Sequence, residues 1–336
     1  MRRLALGTLL VAGCGGGPGA GGEGMDLASP VDLAMPPPPD LVRLADLVTH
    51  DLQWKRLATG FGDALYAAGG LGDTLLVVGG GPSGGVVHQS DDRGATWGQR
   101  ASGTGETLYD LQAVAADAVF AVGGNGTVLL SESGGRTWRK LTSGTTAPLR
   151  GLFGTVSGSL WAVGDAGVIR RSVNFGLTWS PLSAGVDKRL SDVWGSGIDD
   201  VYVVGEGGTI LHSQGGGAFA PLVSGTSVEL TAVWGSGRDD VWVGGAKILL
   251  RSTDGGANWK RLPGPCDQGT VRGIWGASAT DVYLACDGVG VVRSRDRGAS
   301  FRVDHSDGAS RFGGLWGRHG SEVYVVGQGG LVLRGT

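Results

Sequence analysis

The sequence has no excess of basic residues. Its 28 lysines and arginines stand against 31 aspartates and glutamates, which gives a formal net charge of −3. A nucleic-acid-binding protein would need a basic stripe or a clearly basic domain to neutralise phosphates. We therefore do not expect nucleic acid as a partner.

Histidine and cysteine are scarce, with five and three residues among 336. None of them shows the spacing of a zinc site. No glycine-rich loop that could hold a phosphate leads into a recognisable helix. The sequence therefore predicts neither a metal nor a cofactor.

The N-terminal apolar run, from Leu4 to Gly13, is too short to cross a bilayer as a permanent helix. It follows two arginines and has the length of the apolar part of a secretory signal. The adjoining Val-Ala-Gly-Cys at 11–14 resembles the lipobox of bacterial lipoproteins, which implies cleavage before Cys14 and acylation of that cysteine. The alternative is an ordinary cleaved signal followed by an unmodified thiol. The lipobox implies a location in the bacterial cell envelope, with a lipid anchor expected in the outer membrane and the domain facing periplasm or exterior.

The next segment is rich in glycine and proline and shows no sustained helical or strand period. Such a composition is typical of a flexible tether. We therefore divide the chain into a signal peptide at 1–13, a tether at 14–52 that carries the acylated Cys14, and a single domain at 53–336.

Glycine is abundant, with 67 residues that follow no Gly-X-Y period, which indicates a turn-rich β protein rather than collagen. A segment similar to SDDRGATW at 90–97 recurs five more times, about every 41 residues. A period of this length is typical of propellers and solenoids. The recurring segments begin at Ser90, Ser131, Ser172, Ser213, Ser252 and Ser294.

Each repeat contains three short apolar runs separated by glycine or acidic turns, and a fourth run that follows the recurring segment. This pattern predicts four strands per repeat, without helices. Six repeats are complete, whereas the seventh, at 311–336, stops after its third strand. Trp54-Lys55-Arg56-Leu57 repeats the fourth-strand sequence Trp259-Lys260-Arg261-Leu262. We therefore predict an all-β, seven-bladed β-propeller of four-stranded antiparallel blades, whose N-terminal strand completes the last blade and leaves no open edge.

The recurring segment resembles the Asp box (BNR repeat) of bacterial sialidases and other propellers, a hairpin between the third and fourth strands. The resemblance implies a structural role away from any active site, with acceptors in the turn and an aromatic residue that packs inward. Ser133 and Gly215 replace the acceptor in two copies. The acceptors are Asp92, Asn174, Asp254 and Asp296, and the tryptophans are Trp97, Trp138, Trp179 and Trp259.

All 11 tryptophans occupy repeat positions, which favours packing between blades, although an aromatic platform for a sugar is an alternative. A second repeated feature is an acid before the second strand of four repeats. Because these acids recur at one offset, we interpret them as turn residues. They are Asp200, Asp240, Asp281 and Glu322.

Four arginines are placed in loops that enter first strands, and three acids follow second strands at the same end of the propeller. The spacing predicts the pairs Arg150–Asp165, Arg189–Glu206 and Arg272–Asp287, with Arg311 as the fourth arginine. One interpretation is a set of weak surface salt bridges. The other is an arginine-rich ring at the mouth of the channel that binds an acidic peptide or another anion.

A glycosidase would need two carboxylates about 5 to 9.5 Å apart. Asp165 and Glu206 are the candidate pair, on neighbouring blades. The sequence has neither the Arg-Ile-Pro signature of sialidases nor a nucleophilic tyrosine in a suitable context. We therefore expect no catalytic residue and treat a carbohydrate-active hydrolase or lyase as the alternative function.

Two cysteines, Cys266 and Cys286, lie in the sixth repeat, one before its first strand and one at the end of its second. Both positions are at one end of a hairpin, and an exported protein meets oxidising conditions. We expect a disulfide, with two free thiols as the alternative.

Over residues 53–336 the repeats look like those of single-domain Asp-box propellers, among them the photosystem II stability and assembly factor family. That resemblance implies a noncatalytic protein that binds partner proteins, although nothing in the sequence indicates a photosynthetic partner. We expect a monomeric, lipid-anchored scaffold that binds a protein or a glycan at the loop face containing the arginines.

Overall fold

The computed structural model describes residues 51–306 and 311–336. The predicted signal peptide, Cys14 and nearly all of the predicted tether lie outside the described residues. Within them, 28 strands form seven four-stranded antiparallel sheets, and each sheet is one blade. The chain forms a seven-bladed β-propeller, as predicted.

The blades are numbered in the order of the chain, and each of blades 1 to 6 is formed by four consecutive strands. Blade 1 contains β2 (Ala64–Leu71), β3 (Thr74–Gly81), β4 (Gly84–Ser90) and β5 (Gly98–Arg100). Blade 2 contains β6 (Leu108–Ala113), β7 (Val119–Gly123), β8 (Val128–Ser131) and β9 (Arg139–Leu141). Blade 3 contains β10 (Leu149–Gly154), β11 (Leu160–Gly164), β12 (Ile169–Ser172) and β13 (Ser180–Leu182). Blade 4 contains β14 (Leu190–Gly197), β15 (Asp200–Gly205), β16 (Thr209–Gln214) and β17 (Ala220–Leu222).

Blade 5 contains β18 (Leu230–Gly235), β19 (Val241–Gly245), β20 (Ile248–Ser252) and β21 (Lys260–Arg261). Blade 6 contains β22 (Val271–Ser278), β23 (Asp281–Cys286), β24 (Gly290–Ser294) and β25 (Arg302–His305). Blade 7 contains β26 (Phe312–His319), β27 (Glu322–Gly327), β28 (Leu331–Gly335) and, as its fourth strand, β1 (Trp54–Arg56). No helix among these residues is both long and apolar enough to span a bilayer.

Ring closure depends on β1. Trp54 pairs with Gly335 and Arg56 with Leu333, antiparallel to β28. The first strands of successive blades contact each other around the whole ring, and β26 returns to β2. The N-terminal strand therefore completes the last blade, as predicted from its sequence match to the fourth strands.

The core is divided into seven apolar clusters, each with residues from two neighbouring blades. Each of the 11 tryptophans belongs to one of these clusters or packs against one. Trp161 and Trp242, in second strands, are fully buried. Their packing supports the structural interpretation of the tryptophans over a sugar platform, because buried rings cannot stack on a ligand.

We call the turns between third and fourth strands box turns, and the end of the ring that carries them the box end. In blade 1, Ser90 Oγ accepts a hydrogen bond from the Gly94 amide at 2.6 Å, and Asp92 Oδ1 accepts one from the Thr96 amide at 2.8 Å. Bonds from the hydroxyl and amide of Thr96 lower the pKa of Asp92 to about 2. The turn requires a left-handed residue at Gly94, where φ is +87°. These turns hold the last two strands of blades 1 to 6 together, whereas in blade 7 the third and fourth strands are β28 and β1 and no turn joins them.

The repeated acids before second strands are not simply turn residues, which corrects the interpretation from the sequence. Asp200, Asp281 and Glu322 are the first residues of β15, β23 and β27, and each forms an ion pair or hydrogen bond with a basic side chain of the third strand. Asp200 is fully buried and bonds His212 Nε2 at 2.7 Å. A buried carboxylate needs such a partner to offset its loss of hydration. The four pairs are Asp200–His212, Asp240–Arg251, Asp281–Arg293 and Glu322–Arg334.

Candidate functional site

A β-bulge lies at the start of the first strand in all seven blades. The register of the first pair of strands shifts across one residue, which is the second residue of the first strand in blades 2 to 7 and the third in blade 1, so this residue is left unpaired. Bulges of this kind often redirect a side chain beside a binding site. Here the seven bulge residues all line the central channel at the end of the ring opposite the box turns. They are Tyr66, Tyr109, Arg150, Ser191, Thr231, Arg272 and Gly313.

These residues, with Arg189 and Glu229, line an opening of about 460 Å³ that we call the channel mouth. A smaller cavity of about 170 Å³ continues from it between the first strands. Blades 1 and 2 contribute aromatic side chains to the mouth, and blades 3, 4 and 6 contribute arginines. The mouth therefore combines flat apolar rings with fixed positive charges.

Arg150 is held rigidly at the mouth. Its Nε and Nη2 donate to the two carboxylate oxygens of Asp165 at 3.0 and 2.8 Å, and this ion pair raises the pKa of Arg150. The guanidinium also lies over the ring of Tyr109, 4.2 Å from its centroid, and Tyr109 packs edge to face on Tyr66 at 5.6 Å. The predicted Arg150–Asp165 pair is therefore present, with two tyrosines beside it.

Arg272 forms the second predicted pair, with Nε 2.6 Å from Asp287 Oδ2. The other oxygen of Asp287 accepts a hydrogen bond from the amide of Phe312, in the first strand of the next blade. Asp287 thus fixes both an arginine of the mouth and the contact between blades 6 and 7. Arg150 and Arg272 both lie within first strands, at the bulge, rather than in the loops where the sequence placed them.

The predicted pair Arg189–Glu206 is wrong. Arg189 Nη2 lies 2.5 Å from Oε1 of Glu229, which precedes the first strand of the next blade as Arg189 precedes its own. The side chain therefore reaches around the ring rather than across its own hairpin. Arg150 and Arg272 are bulge residues, but Arg189 lies two residues before the bulge residue of its blade, Ser191, and this offset changes its partner. Glu206 is exposed, and only its backbone amide bonds Arg189, at the carbonyl oxygen.

Arg311 also lies one residue before its first strand and is exposed. It is not among the described residues that line the mouth. Three of the four arginines proposed from the sequence therefore meet at the mouth, and the fourth is more peripheral.

Two aspartates, Asp110 and Asp192, line the cavity below the mouth. The two oxygens of Asp110 accept hydrogen bonds from the amides of Leu111 and of Leu152, and Leu152 belongs to the next blade. Asp192 joins blade 4 to blade 5 in the same way, through the amide of Val233. Although both side chains contact the channel, protein surrounds them. This burial raises the pKa of Asp110 to about 8, with a further contribution from the charge of Asp192, and raises the pKa of Asp192 to about 7.

Sequence reasoning did not find the tyrosines, Glu229 or the channel aspartates. A signal for the bulge residues exists in the repeats, because each follows a buried apolar residue within the first two positions of a first strand. The described residues include no cluster of histidine, cysteine, aspartate and glutamate that could hold a metal ion.

Cys266 and Cys286 form a disulfide in blade 6. It joins the 3₁₀ turn at Pro265–Gln268 to the end of β23, near Arg272 and Asp287. The two cysteines are 20 residues apart in the sequence. A disulfide that closes a loop of this length stabilises a protein by roughly 3 kcal/mol. We expect Cys266→Ser with Cys286→Ser to lower the free energy of unfolding by about that amount, measured by urea denaturation. A midpoint that a reductant lowers in the wild type but not in this variant would show that the disulfide is responsible, and an unchanged midpoint would contradict the prediction.

No model of a known protein family matches this chain, and no curated protein sequence matches it. Solved structures do match. The structure described as "YCF48 bound to D1 peptide" superposes with a TM-score of 0.71 at 19% identity, covering 84% of this chain and 96% of that one. YCF48 from Cyanidioschyzon merolae gives 0.69 at 16% identity, with coverages of 84% and 98%. A streptogramin B lyase gives 0.73 at 10% identity, with coverages of 85% and 97%. At these identities the similarity shows the seven-bladed fold alone.

Proposed function

We propose that this chain is a noncatalytic binding scaffold that takes a segment of a partner protein at the channel mouth. The observation that carries the proposal is the set of bulges, which turns two tyrosines and two arginines toward one opening. The complex of YCF48 with a D1 peptide supports it, because that propeller of similar fold binds a peptide.

The chemistry of the mouth favours an acidic segment. The side chains of Arg150, Arg189 and Arg272 keep 28%, 40% and 42% of their surface exposed, so each can bind a carboxylate in addition to its present partner. An arginine has five N–H donors, and the pairs in the structure use only part of them. Tyr66 and Tyr109 offer ring surface to an apolar or aromatic residue of the same segment. An acidic glycan is the alternative ligand, and its carboxylates would meet the same donors.

We further propose that the protein is exported, anchored by acylation of Cys14 and located in the cell envelope. The support is the N-terminal sequence, with its arginines, short apolar run and Val-Ala-Gly-Cys. Together these proposals describe a monomeric receptor or assembly factor that is held at a membrane.

The rival function is a carbohydrate-active hydrolase or lyase that uses Asp165 and Glu206. The observation in favour of this enzymatic function is the similarity to a streptogramin B lyase of the same fold. Against it, Arg150 binds both oxygens of Asp165, and Glu206 is exposed and is not among the described residues that line the mouth, so the two carboxyl groups do not face one enclosed site. The enzymatic function would be established if the purified chain cleaved members of a panel of glycans and the Glu206→Gln variant did not.

We expect simultaneous change of Arg150, Arg189 and Arg272 to alanine to weaken binding of an acidic partner peptide by at least about a hundredfold, since each charge-assisted hydrogen bond contributes about 1.5 to 3 kcal/mol. A partner captured from envelope extract identifies the peptide, and fluorescence anisotropy with the synthetic peptide measures its affinity at two salt concentrations.

The matched control changes Arg136, Arg238 and Arg297, three arginines of the box end, to alanine. This variant removes the same charge and should bind as the wild type does. Equal losses in the two variants would mean that binding follows net charge rather than the mouth, and undiminished binding in the first variant would overturn the proposal.

A further inference from the structure

One box turn differs from the other five. In blade 3, Val173, Phe175 and Leu177 are 63%, 42% and 63% exposed. The equivalent positions of the other copies hold charged, polar or small residues, which are Asp91, Arg93 and Ala95; Glu132, Gly134 and Arg136; Gln214, Gly216 and Gly217; Thr253, Gly255 and Ala257; and Arg295, Arg297 and Ala299. The repeat therefore does not need apolar side chains here in order to fold.

The backbone conformation of Phe175 also distinguishes this turn from the others. Phe175 has a φ of +54°, and every equivalent residue also has a positive φ. Three of the five are glycine, which adopts this conformation without strain, whereas an aromatic residue rarely does. A strained residue persists where it has a use, and although the ring of Phe175 packs over Gly158, 42% of this residue stays exposed.

The adjoining turn extends the apolar surface. The amide of Phe175 donates to the carbonyl oxygen of Gly158 at 2.9 Å, so the box turn rests on the turn between β10 and β11. Val156, on that second turn, is 84% exposed. Residues 151–164 and 172–186 contain no charged residue. We call Val156, Val173, Phe175 and Leu177 the apolar tip.

The end of the ring at which β1 begins indicates what covers the apolar tip. First strands begin at the channel mouth and run to the box end, whereas fourth strands run in the opposite direction, so β1 begins at the box end. Asp51 contacts Arg295 of the blade 6 box turn at 3.1 Å, and Gln53 bonds the C-terminal Thr336. The described chain therefore enters the domain, at residues 51–53, at the same end as the apolar tip.

We propose that the apolar tip inserts into the interface of a lipid bilayer, so that the box end faces the membrane and the channel mouth faces away from it. The choice of a bilayer as the occupant rests on the proposed anchoring through Cys14. Insertion buries apolar side chains without dehydrating a charge, because the two turns that form the tip carry none. The membrane orientation leaves the mouth open to a partner.

The test uses a chain that starts at Gly15, which lacks both the apolar run at 4–13 and the acylated Cys14 and leaves the disulfide cysteines paired. Val156→Cys then adds a single free thiol for an environment-sensitive fluorophore. With phosphatidylcholine vesicles that contain brominated acyl chains, we expect the fluorophore to be quenched. The same label at Ala257→Cys, an exposed position of the blade 5 box turn, should not be quenched.

A triple change, Val173→Thr with Phe175→Gly and Leu177→Ala, copies the residues that blade 5 holds at these positions. Because glycine relieves the positive φ, this variant should fold at least as well. We expect its vesicle partition coefficient to fall roughly tenfold or more, with quenching at position 156 lost. Unchanged quenching would overturn the inference, and so would self-association of the parent chain that the triple change abolishes, because a second copy would then cover the tip.

The proposed lipid anchor and the proposed binding site at the mouth are tested by measurements that are independent of the vesicle comparison. Mass spectrometry of the wild-type chain shows whether Cys14 is acylated, and this result does not enter the vesicle comparison. The three mouth arginines changed to alanine should leave quenching at position 156 unaltered while peptide binding is lost. Loss of quenching in that variant would contradict insertion through the tip.

Discussion

A chain that starts at Ala58, without β1, should lose about 5 kcal/mol or more of its free energy of unfolding relative to a chain that starts at Asp51. The strand and the residues on either side of it contribute to two clusters between blades. Leu52 is buried in the cluster of blades 6 and 7 beside Leu331 and Leu333, and Leu57 packs against that of blades 7 and 1. Removal of one buried leucine costs about 2 to 5 kcal/mol, and two are lost here together with Trp54.

The hydrogen bonds of β28 add to this loss. The amide of Leu57 donates to the carbonyl oxygen of Val332 at 2.9 Å, and the ladder continues to Trp54 and Gly335. Without β1 these groups would form an unpaired edge, which favours aggregation. Urea denaturation of the two truncated chains measures the difference, and the chain from Asp51 controls for the absence of residues 1–50. Equal midpoints would show that blade 7 is stable with three strands.

Much of the fold could be predicted from the sequence because every blade must satisfy the same structural requirements. Each blade needs apolar strands of similar length and left-handed residues at the same turns, so the period near 41 residues appears as recurring glycines and tryptophans. The closure could be predicted for the same reason, since Trp54-Lys55-Arg56-Leu57 matches a fourth strand in a chain that otherwise ends after a third one.

The site was predicted less completely because its geometry depends on single-residue register. The pairs of Arg150 and Arg272 follow from their spacing to acids on the same hairpin. Arg189 lies two positions earlier in its repeat than Arg150 and Arg272 do in theirs, and its partner Glu229 is 40 residues away, at the equivalent position of the next blade. The bulge that directs Tyr66 and Tyr109 into the mouth arises when two strands pair, and hydrophobic periodicity alone does not reveal it.

Stability should fall as the pH rises from about 4 to about 8, because of the two channel aspartates. The pKa of Asp110 is raised to about 8 and that of Asp192 to about 7, from 3.8 for the free side chain. In this range the folded state holds protons that the unfolded state has released, so raising the pH favours unfolding. The stabilisation is complete below about pH 4 and is lost as the pH passes the folded-state pKa. Since one pKa unit corresponds to about 1.4 kcal/mol, we expect a total loss on the order of several kcal/mol between pH 5 and pH 9.

Changing Asp110 and Asp192 to asparagine should flatten this dependence. An amide does not titrate, but its NH₂ group cannot accept a backbone hydrogen bond, so each change leaves one of the two bonded amides without its acceptor. The double variant should therefore be less stable than the wild type at pH 5, by about 1 to 3 kcal/mol for each unpaired amide, and should approach or exceed it at pH 9. Urea denaturation at each pH gives both curves.

Asp254→Asn is the matched control, because it places asparagine in a box turn where blade 3 already has Asn174. Hydrogen bonds from Asn258 lower the pKa of Asp254, so its own contribution to stability is lost only as the pH falls below its ordinary range. The control should keep the full slope between pH 5 and pH 9. If the double variant kept it too, with a curve parallel to that of the wild type, the channel aspartates would have to be charged in the folded protein at neutral pH. In that case the cavity below the mouth would be hydrated well enough to stabilise two carboxylates, and the arginines above it would meet a negative channel instead of a neutral one.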